Sequence, residues 1–310
     1  MDRIPNKPCV TVVIVAYNSR AVISHAIDSA KQSRDAGIVE ECLVIDNNSS
    51  DDTVEVIRRV HPWCTVIESG ENLGFGRANN IGIRRARTPY VLLLNPDAAL
   101  DTAALERLVA FLAAHPRAGA AAPAIRQSDG RWQFAGDLLR PRDVVLEAMG
   151  HSRALERRRT IRAGEPPFQT TWLCGAVALV RKSLLDAIGG FDPRYFLYFE
   201  ETDLWRRALN AGWQLWAVGE AVAWHSQGGS AKADGRRLYQ GCIAEHFFRS
   251  RVEYLCAHFG WRKAAAAELV ELALMAARAA AHAVRGRRSD DFWTRVRAPV
   301  LGSALWEPSR

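Results

Sequence analysis

The sequence predicts an α/β fold with a mostly parallel, Rossmann-like central sheet flanked by helices. The segment CVTVVIVAYN at 9–18 is apolar on both faces, which is typical of a strand buried inside a parallel sheet. Strand patterns then alternate with helix patterns over the first hundred residues. Polar residues directly follow three of these strands, at the edge where open parallel sheets bind ligands. These observations together favour a ligand-binding α/β domain.

The elements follow in a regular order. Ser19 can cap an amphipathic helix after the first strand. The second strand lies in ECLVIDNNSSDDT at 41–53, which ends in a polar turn before the helix VEVIRRV. The predicted elements that complete this half are the strand CTVIES, the glycine-rich turn GENLGFG, the helix RANNIGIRRAR and the strand YVLLLN.

The pattern changes in the second half. A helix DTAALERLVAFLAAH and a strand AGAAAPAI precede an irregular stretch at 126–168. Strands resume in TTWLCGAVALVRKS and WQLWAVGEAVAWH, and the chain reads as mostly helical from about 237 onward. We therefore expect a catalytic domain over residues 1–236 and a helical C-terminal region over 237–310.

Composition excludes several protein classes. With 310 residues, 48% hydrophobic and 24% charged, the chain resembles an ordinary globular protein and neither a disordered nor a polytopic membrane protein. The net charge of +7 and the pI near 9.3 suit an anionic partner. Six cysteines without a Cys-x-x-Cys pair indicate neither a zinc site nor a disulfide framework. With no secretion signal and no long apolar run, we expect a cytoplasmic protein.

Asp46 is a candidate ligand-binding residue at the end of the second strand. A carboxylate is an acceptor-only group that suits a nucleobase imide or a ribose hydroxyl. The alternative is that Asp46 caps the next helix. Asp51 and Asp52 can serve that purpose, so we favour ligand binding.

The segment ENLGFGRANN at 71–80 places Gly74 and Gly76 just before a helix, where backbone N–H groups can approach an anion. It matches neither a dinucleotide fingerprint nor a P-loop. A plain tight turn explains the glycines equally well.

Asp97 follows the strand YVLLLN and is a candidate metal ligand. Mg²⁺ or Mn²⁺ is often held by one or two carboxylates together with substrate phosphates. His225, at the end of another predicted strand, is the proposed second ligand. A single histidine is more often structural, but the combination with Asp97 favours a metal site.

The segment 189–218 is the most informative one. Glu200, Glu201 and Asp203 come directly after a run of aromatic residues, namely Tyr195, Phe196, Tyr198 and Phe199. Partly desolvated carboxylates beside aromatic rings suit a general base next to a sugar ring. The alternative, acids that complement a helix dipole, explains Asp203 but not the aromatic run.

Several motifs occur together and in a fixed order: VTVVIVAYN, VIDNNSSDDT, NLGFGRANN, LLLNPDA, WLCGAVALVRKS, GGFDPRYFLYFEETDLWRRALNAGW and WHSQGGS. Over about residues 9 to 230 the chain resembles glycosyltransferase family 2, which implies the GT-A fold and an inverting reaction on nucleotide-diphosphate sugars. It looks most similar to bacterial rhamnosyltransferase-type members that act on cell-surface polysaccharide or lipid-linked acceptors.

The resemblance implies roles for individual residues. It implies a dTDP- or UDP-linked donor, with L-rhamnose from dTDP-rhamnose as the best candidate. The implied nucleotide-binding residues are Tyr17, Asp46, Asn72, Gly74, Phe75 and Asn79. Trp172, Cys174, Gly175 and Asp203 are implied to line the sugar or acceptor, and Asp97 and His225 to hold Mg²⁺ or Mn²⁺, with Asn95 replacing the first acid of the metal motif.

The family base is usually the Asp of a Glu-Asp pair. This chain has Glu200 and Glu201 instead. The resemblance implies Glu201 as the base, with the choice between the two acids left open. The base would remove a proton from the acceptor hydroxyl in one in-line displacement.

The C-terminal segment 261–288 is rich in alanine and ends in arginines, as in a helix that lies on an anionic membrane. Packing against the domain or against another protomer in a homodimer is an equal alternative. We expect no nucleic-acid partner. Two other functions stay open, a sugar-phosphate nucleotidyltransferase and a noncatalytic nucleotide-binding scaffold.

Overall fold

The computed structural model describes residues 9–150, 159–226, 242–286 and 290–297. Its strands are β1 (Val10–Ala16), β2 (Val39–Asp46), β3 (Thr65–Glu68), β4 (Tyr90–Leu94), β5 (Ala98–Leu100), β6 (Ala118–Gln127), β7 (Phe134–Ala135), β8 (Arg159–Thr160), β9 (Phe168–Thr170), β10 (Val177–Arg181) and β11 (Gln214–His225). Its helices are α1 (Ile23–Asp35), α2 (Thr53–Val60), α3 (Phe75–Arg85), α4 (Thr102–Ala114), α5 (Pro141–Ala148), α6 (Lys182–Ile188), α7 (Glu200–Asn210), α8 (Cys242–Phe259), α9 (Trp261–Val284) and α10 (Asp290–Arg297).

The central sheet has nine strands in the order β3-β2-β1-β4-β10-β6-β11-β5, with β9 also paired to β11. The first four strands of this order are parallel, which confirms the prediction for the N-terminal half. The rest is mixed, because β10 runs antiparallel to β4 and β6, and β5 and β9 run antiparallel to β11. Six of the nine strands, β1–β4, β6 and β11, nevertheless run in the same direction, which confirms the expected mostly parallel sheet. The apolar pattern did not identify the three antiparallel strands, since it reports burial and not direction.

Alternating residues of β1 enter two different cores. Val12 and Ile14 pack on the face covered by α1 and α4. Val13 and Val15 pack on the opposite face, with residues of α3, α6 and α7. Successive side chains of a strand point to opposite faces, so an all-apolar strand needs helices on both sides.

The C-terminal helices pack onto the catalytic domain. Tyr195 and Phe199, just before α7, share a core with Tyr254 of α8 and Ala264 of α9. Gly260, with φ of +84°, separates α8 from α9 and allows the chain to turn between them. The expected domain boundary at 236/237 lies outside the described residues. Within the described part of the chain, no helix is both long and apolar enough to cross a membrane.

Candidate active site

Three strand ends meet at one edge of the sheet. Ala16 at the end of β1 pairs with Asp46 at the end of β2, and on its other side β1 pairs with β4 up to Leu94. Tyr17, Asp46 and Asn95 therefore emerge side by side. This is the edge where open α/β sheets bind their ligands.

Asp46 is buried, with 4% of its surface exposed. Its Oδ2 accepts the backbone N–H of Ser49 at 3.1 Å, whereas Oδ1 is buried without a hydrogen-bond partner. Asp51 accepts the N–H of Thr53 at 3.1 Å just before α2, and the N-cap residue Asp52 makes no side-chain cap hydrogen bond. A buried carboxylate oxygen without a donor is costly, so Asp46 Oδ1 is suited to a ligand hydroxyl or N–H group. Tyr17 lies next to it and is half-buried.

The glycine-rich turn is held by two asparagines. Asn47 donates to Asn72 Oδ1 at 2.9 Å and accepts the N–H of Leu73 at 2.8 Å. Asn72 Oδ1 also accepts the N–H of Gly74 at 3.1 Å. The Asn72 side chain therefore shapes the turn, a role that the sequence analysis did not assign to it. Asn47 was given no role of its own in the predicted site, although its position directly after Asp46 places it among the polar residues at the strand ends.

The turn packs against the loop that precedes α7. The N–H of Phe75 donates to the carbonyl of Phe196 at 3.1 Å, and Gly74 has φ of +77°. The N–H groups of Gly74 and Phe75 thus have partners within the protein, so an anion at this turn would have to bind other N–H groups at the start of α3. Asn79, predicted to bind nucleotide, is buried and donates to the carbonyl of Phe75 at 3.0 Å. That environment places its amide inside the protein.

Asp97 and His225 lie together. Ala98 of β5 pairs with His225 of β11, which brings Asp97 Oδ1 to 3.1 Å from His225 Nε2. The backbone N–H of Ser226 donates to the Asp97 carbonyl at 2.9 Å and fixes the segment. Both side chains are mostly buried.

This pair fits one divalent cation. Neighbouring ligands of an octahedral ion at about 2.1 Å lie about 3 Å apart, close to the observed separation of the two atoms. Asn95 Oδ1, beside His225, is buried without a partner. The described residues contain no group of three or more His, Cys, Asp or Glu side chains that could hold a metal. Donor phosphates would have to complete the coordination.

Glu200 and Glu201, at the start of α7, face different surroundings. Glu200 is buried against Gly76 of α3 and Phe191, on the side of the glycine-rich turn. Glu201 is half-buried against Gly175. Burial raises the pKa of Glu200 well above its usual range, and the charge of Glu201 raises it further. Burial also raises the pKa of Glu201, although a hydrogen bond from Glu200 opposes the rise.

The segment 174–176 lies between Glu201 and the end of β4. Burial raises the pKa of the Cys174 thiol to about 12, and the charges of both Glu201 and Asp97 contribute to the rise. The position of the segment follows from the sheet: β10 runs antiparallel to β4, so the segment leading into β10 lies beside the end of β4, where Asn95 donates its N–H to Ala176 at 2.8 Å.

Trp172 connects this segment to α7. Its indole N–H donates to Thr202 Oγ1 at 3.1 Å, and its ring stacks on Phe134 at 5.5 Å between centroids. A Cβ at Gly175 would lie 3.5 Å from the Cβ of Glu201, so the two residues are in direct contact. Trp172, Cys174 and Gly175 thus border Glu201.

The aromatic run before α7 differs from the expectation. Tyr195 and Phe199 are buried against the C-terminal helices, and Tyr198 meets Phe247 edge to face at 5.8 Å. These three rings hold the loop against α8, whereas Phe196 is 36% exposed and stacks on His246 with 4.7 Å between ring centroids. Tyr198 and Phe199 have positive φ values of 67° and 65°, so the loop is strained where α7 begins.

Asp203 was expected to line the sugar or acceptor site. It is fully buried, with Oδ2 at 2.6 Å from Arg207 Nε and Oδ1 at 2.7 Å from His258 Nε2. The carboxylate is occupied within the protein and faces the C-terminal region, so we correct this expectation.

Comparison with known proteins agrees with the geometry. A curated relative from Mycobacterium tuberculosis, an N-acetylglucosaminyl-diphospho-decaprenol L-rhamnosyltransferase, is 29% identical over 280 residues, which cover 82% of this chain and 86% of the relative. A low-salt glycan biosynthesis hexosyltransferase, Agl10 of Haloferax volcanii, is 24% identical and covers 64% of this chain and 61% of its own length.

Two solved structures share the fold. The mannosyltransferase PcManGT from Pyrobaculum calidifontis, in complex with GDP-Man and Mn²⁺, superposes with a TM-score of 0.52 at 20% identity over 97% of this chain and 88% of that one. TarS of S. aureus, residues 1–349 with UDP-GlcNAc, gives 0.53 at 16% identity over 86% of this chain and 71% of that one.

The family model described as glycosyl transferase family 2 matches residues 11–189, more than half of the sequence. This range includes the three strand ends, Asp97 and the segment beside Glu201. The match favours a glycosyltransferase over a nucleotidyltransferase or a noncatalytic scaffold. The chain belongs to glycosyl transferase family 2, and the cleft at the strand ends is the candidate active site of a glycosyltransferase.

Proposed function

We propose that this enzyme transfers L-rhamnose from dTDP-rhamnose to a hydroxyl group of a saccharide or lipid-linked acceptor in cell-surface polysaccharide synthesis, with inversion at the anomeric carbon. The observation that carries the proposal is that the segment leading into β10 touches both groups of residues: Gly175 lies against Glu201, and Ala176 accepts the N–H of Asn95, two residues before Asp97. A proton acceptor and a cation ligand thus flank one cleft. The M. tuberculosis relative, named for a rhamnosyl transfer to a decaprenol-linked sugar, supports the choice of sugar and acceptor.

The donor nucleotide would bind at the ends of β1 and β2. Asp46 Oδ1 has no partner in the protein and would accept a hydrogen bond from the base or the ribose. Tyr17 would contact the same moiety. A thymidine or uridine diphosphate presents both kinds of donor.

Asp97 and His225 would hold Mg²⁺ or Mn²⁺. When bound, the cation would neutralise the charge that develops on the departing diphosphate. The mixed carboxylate and imidazole donors suit either ion. His225 must be neutral at Nε2 to act as a ligand, and Asp97 must be charged.

Glu201 is the proposed base. Its carboxylate removes the proton of the acceptor hydroxyl while the acceptor oxygen bonds to the anomeric carbon and the bond from that carbon to the diphosphate breaks. Burial raises the pKa of Glu200 and so favours its protonated form, which would donate a hydrogen bond to Glu201 and hold it in place. A single displacement inverts the configuration.

We further propose that the enzyme works at the cytoplasmic face of the membrane, where a lipid-linked acceptor is presented. A homodimer is the alternative use of the C-terminal helices.

The test is a transfer assay with dTDP-rhamnose, UDP-sugars and GDP-mannose as donors, and with a soluble analogue of a polyprenyl-diphosphate N-acetylglucosamine as the acceptor. We expect product only with the rhamnosyl donor and an anomeric configuration opposite to that of the donor by nuclear magnetic resonance. Transfer from another donor would exclude rhamnose, and retention would exclude the single displacement.

A further inference from the structure

Helix α9 has an inverted distribution of charged and apolar residues. Its two acidic residues, Glu268 and Glu271, point into the protein, where both bind Arg251 of α8 and Arg295 of α10. Glu268 and Arg295 are fully buried. The usual arrangement of a surface helix, with apolar residues inside and charges outside, is therefore reversed along the middle of α9.

The outward face of α9 is apolar as a result. Residues spaced three or four apart lie on one side of a helix, and the exposed residues with this spacing are Ala266, Leu269, Val270, Ala273, Ala276, Ala277, Ala280 and Val284. Leu269 is 56% exposed and Val284 is 90% exposed. We call these eight residues the outer face of α9. It extends about 27 Å, at about 1.5 Å per residue.

The charges that remain exposed on this helix are positive. Arg262 and Lys263 precede the outer face, and Arg278 and Arg285 lie near its other end. Glu268 and Glu271 are the acids of α9, so the helix exposes none. Trp261 at the start of α9 and Trp293 on α10 are also exposed, by 59% and 54%. The basic end noted in the sequence continues to Arg287 and Arg288, which lie outside the described residues.

We propose that the outer face of α9 lies on an anionic phospholipid surface, an inference that rests on the proposed lipid-linked acceptor. An apolar stripe with flanking cations is the composition of helices that bind in the plane of the membrane interface. Charge complementarity decides against a second copy of the chain as the partner. Two outer faces brought together would oppose cations at both ends, with no exposed acid of α9 to pair with them.

The position of α9 connects this surface with the active site. Helix α8 packs on α9, and it also holds the loop before α7 through the Ser250 hydroxyl, which donates to the Leu197 carbonyl at 2.9 Å. A membrane bound to the outer face would therefore keep the base-carrying helix at a fixed height above the lipid surface. The acceptor hydroxyl of a lipid-anchored sugar is likewise held close to the lipid surface.

Sedimentation with vesicles tests the proposal. The full chain is mixed with phosphatidylcholine vesicles that either contain or lack phosphatidylglycerol. We expect binding to the anionic vesicles, weakened by salt, and little binding to the neutral ones. The variant Leu269→Glu/Ala273→Glu should bind about tenfold more weakly. Ala113→Glu, which adds a charge at an exposed alanine of α4, is the matched control and should bind as the wild type does.

Activity separates this proposal from the proposed function. Both variants should transfer sugar to the soluble acceptor analogue at the wild-type rate, and the double variant alone should lose transfer to a polyprenyl-linked acceptor in anionic vesicles. Equal vesicle binding by the wild type and the double variant would overturn the proposal. The proposal would also be overturned if light scattering showed a dimer of the wild type but a monomer of the double variant. The outer face would then bind a second copy of the chain. If the wild type did not transfer sugar to the soluble analogue, the proposed reaction itself would be rejected.

Discussion

His258 Nε2 lies 2.7 Å from Asp203 Oδ1, so a residue of the C-terminal helix α8 binds directly to the helix that carries Glu200 and Glu201. Asp203 also pairs with Arg207, one turn further along α7. The C-terminal region is thus part of the support of the active site. The candidate base depends on residues outside the span matched by the family model.

Asp203→Asn should destabilise the protein by about 3 kcal/mol, because removing one partner of a buried ion pair leaves the other without its counter-charge. Urea unfolding followed by circular dichroism measures the change. Asp186→Asn is the control: Asp186 pairs with Lys182 on the surface, and its loss should cost at most about 0.5 kcal/mol. Equal costs for the two variants would show that the buried pair does not support the fold.

Glu201→Gln should lower kcat by about 10² to 10⁴ because the amide cannot accept the acceptor proton. Glu200→Gln should stay within about tenfold of the wild type, since a glutamine resembles the protonated acid and can still donate to Glu201. Steady-state kinetics with saturating cation compares the two. The reverse order of effects would make Glu200 the base.

The acid limb of the pH–rate profile, where the rate rises with pH, should lie at a higher pH than the pKa of an ordinary glutamate. The base works when it is charged, so the rate rises as the pH passes upward through its pKa. Burial raises that pKa for Glu201, and the limb moves to higher pH accordingly. A profile of kcat/KM against pH checks this. In the Glu200→Gln variant the acid limb should remain at raised pH, because the burial of Glu201 is unchanged. An acid limb at or below the usual glutamate pKa of 4.5 would contradict the assignment of Glu201 as the base.

Asp97→Asn and His225→Ala should each abolish the extra stabilisation that Mn²⁺ gives to the complex with dTDP. A ligand that binds only the folded state raises the melting temperature by mass action. Thermal shift with dTDP, with and without Mn²⁺, measures the difference. His25→Ala, an exposed histidine of α1, should behave as the wild type. A cation effect that survives both substitutions would place the cation elsewhere.

Gly74→Ala should disrupt the glycine-rich turn. A Cβ at this position would lie 2.2 Å from the Phe196 carbonyl oxygen, in addition to the strain of a φ of +77°. Gly37→Ala has a similar φ of +80° but meets nothing within 4 Å, and it isolates the backbone strain of about 1 kcal/mol. We expect Gly74→Ala to cost clearly more in urea unfolding and to weaken donor binding in the thermal-shift assay. Equal effects of Gly74→Ala and Gly37→Ala would show that the loop before α7 shifts at little cost to accommodate the added Cβ.

The sequence by itself determined the alternating α/β order, the polar strand ends and the family. Each of these depends on local pattern: an apolar run such as 9–18 must be buried on both faces, and Asp46 and Asp97 follow directly on such runs. Burial and chain order therefore sufficed to place them at one edge. The pairing of Asp97 with His225 could be proposed for the same reason, because both residues end strand patterns.

Only the tertiary structure decided the direction of β10, the roles of Asn72, Asn79 and Asp203, and the two faces of α9. Direction and partner choice depend on contacts between residues distant in sequence, which apolar periodicity does not encode. Asp203 lies only two residues from Glu201 in the first turn of α7, yet it points toward His258 because α8 packs there. Likewise, Glu268 and Glu271 are buried only because Arg251 and Arg295 reach them from other helices, and this leaves alanine and leucine on the outer face of α9.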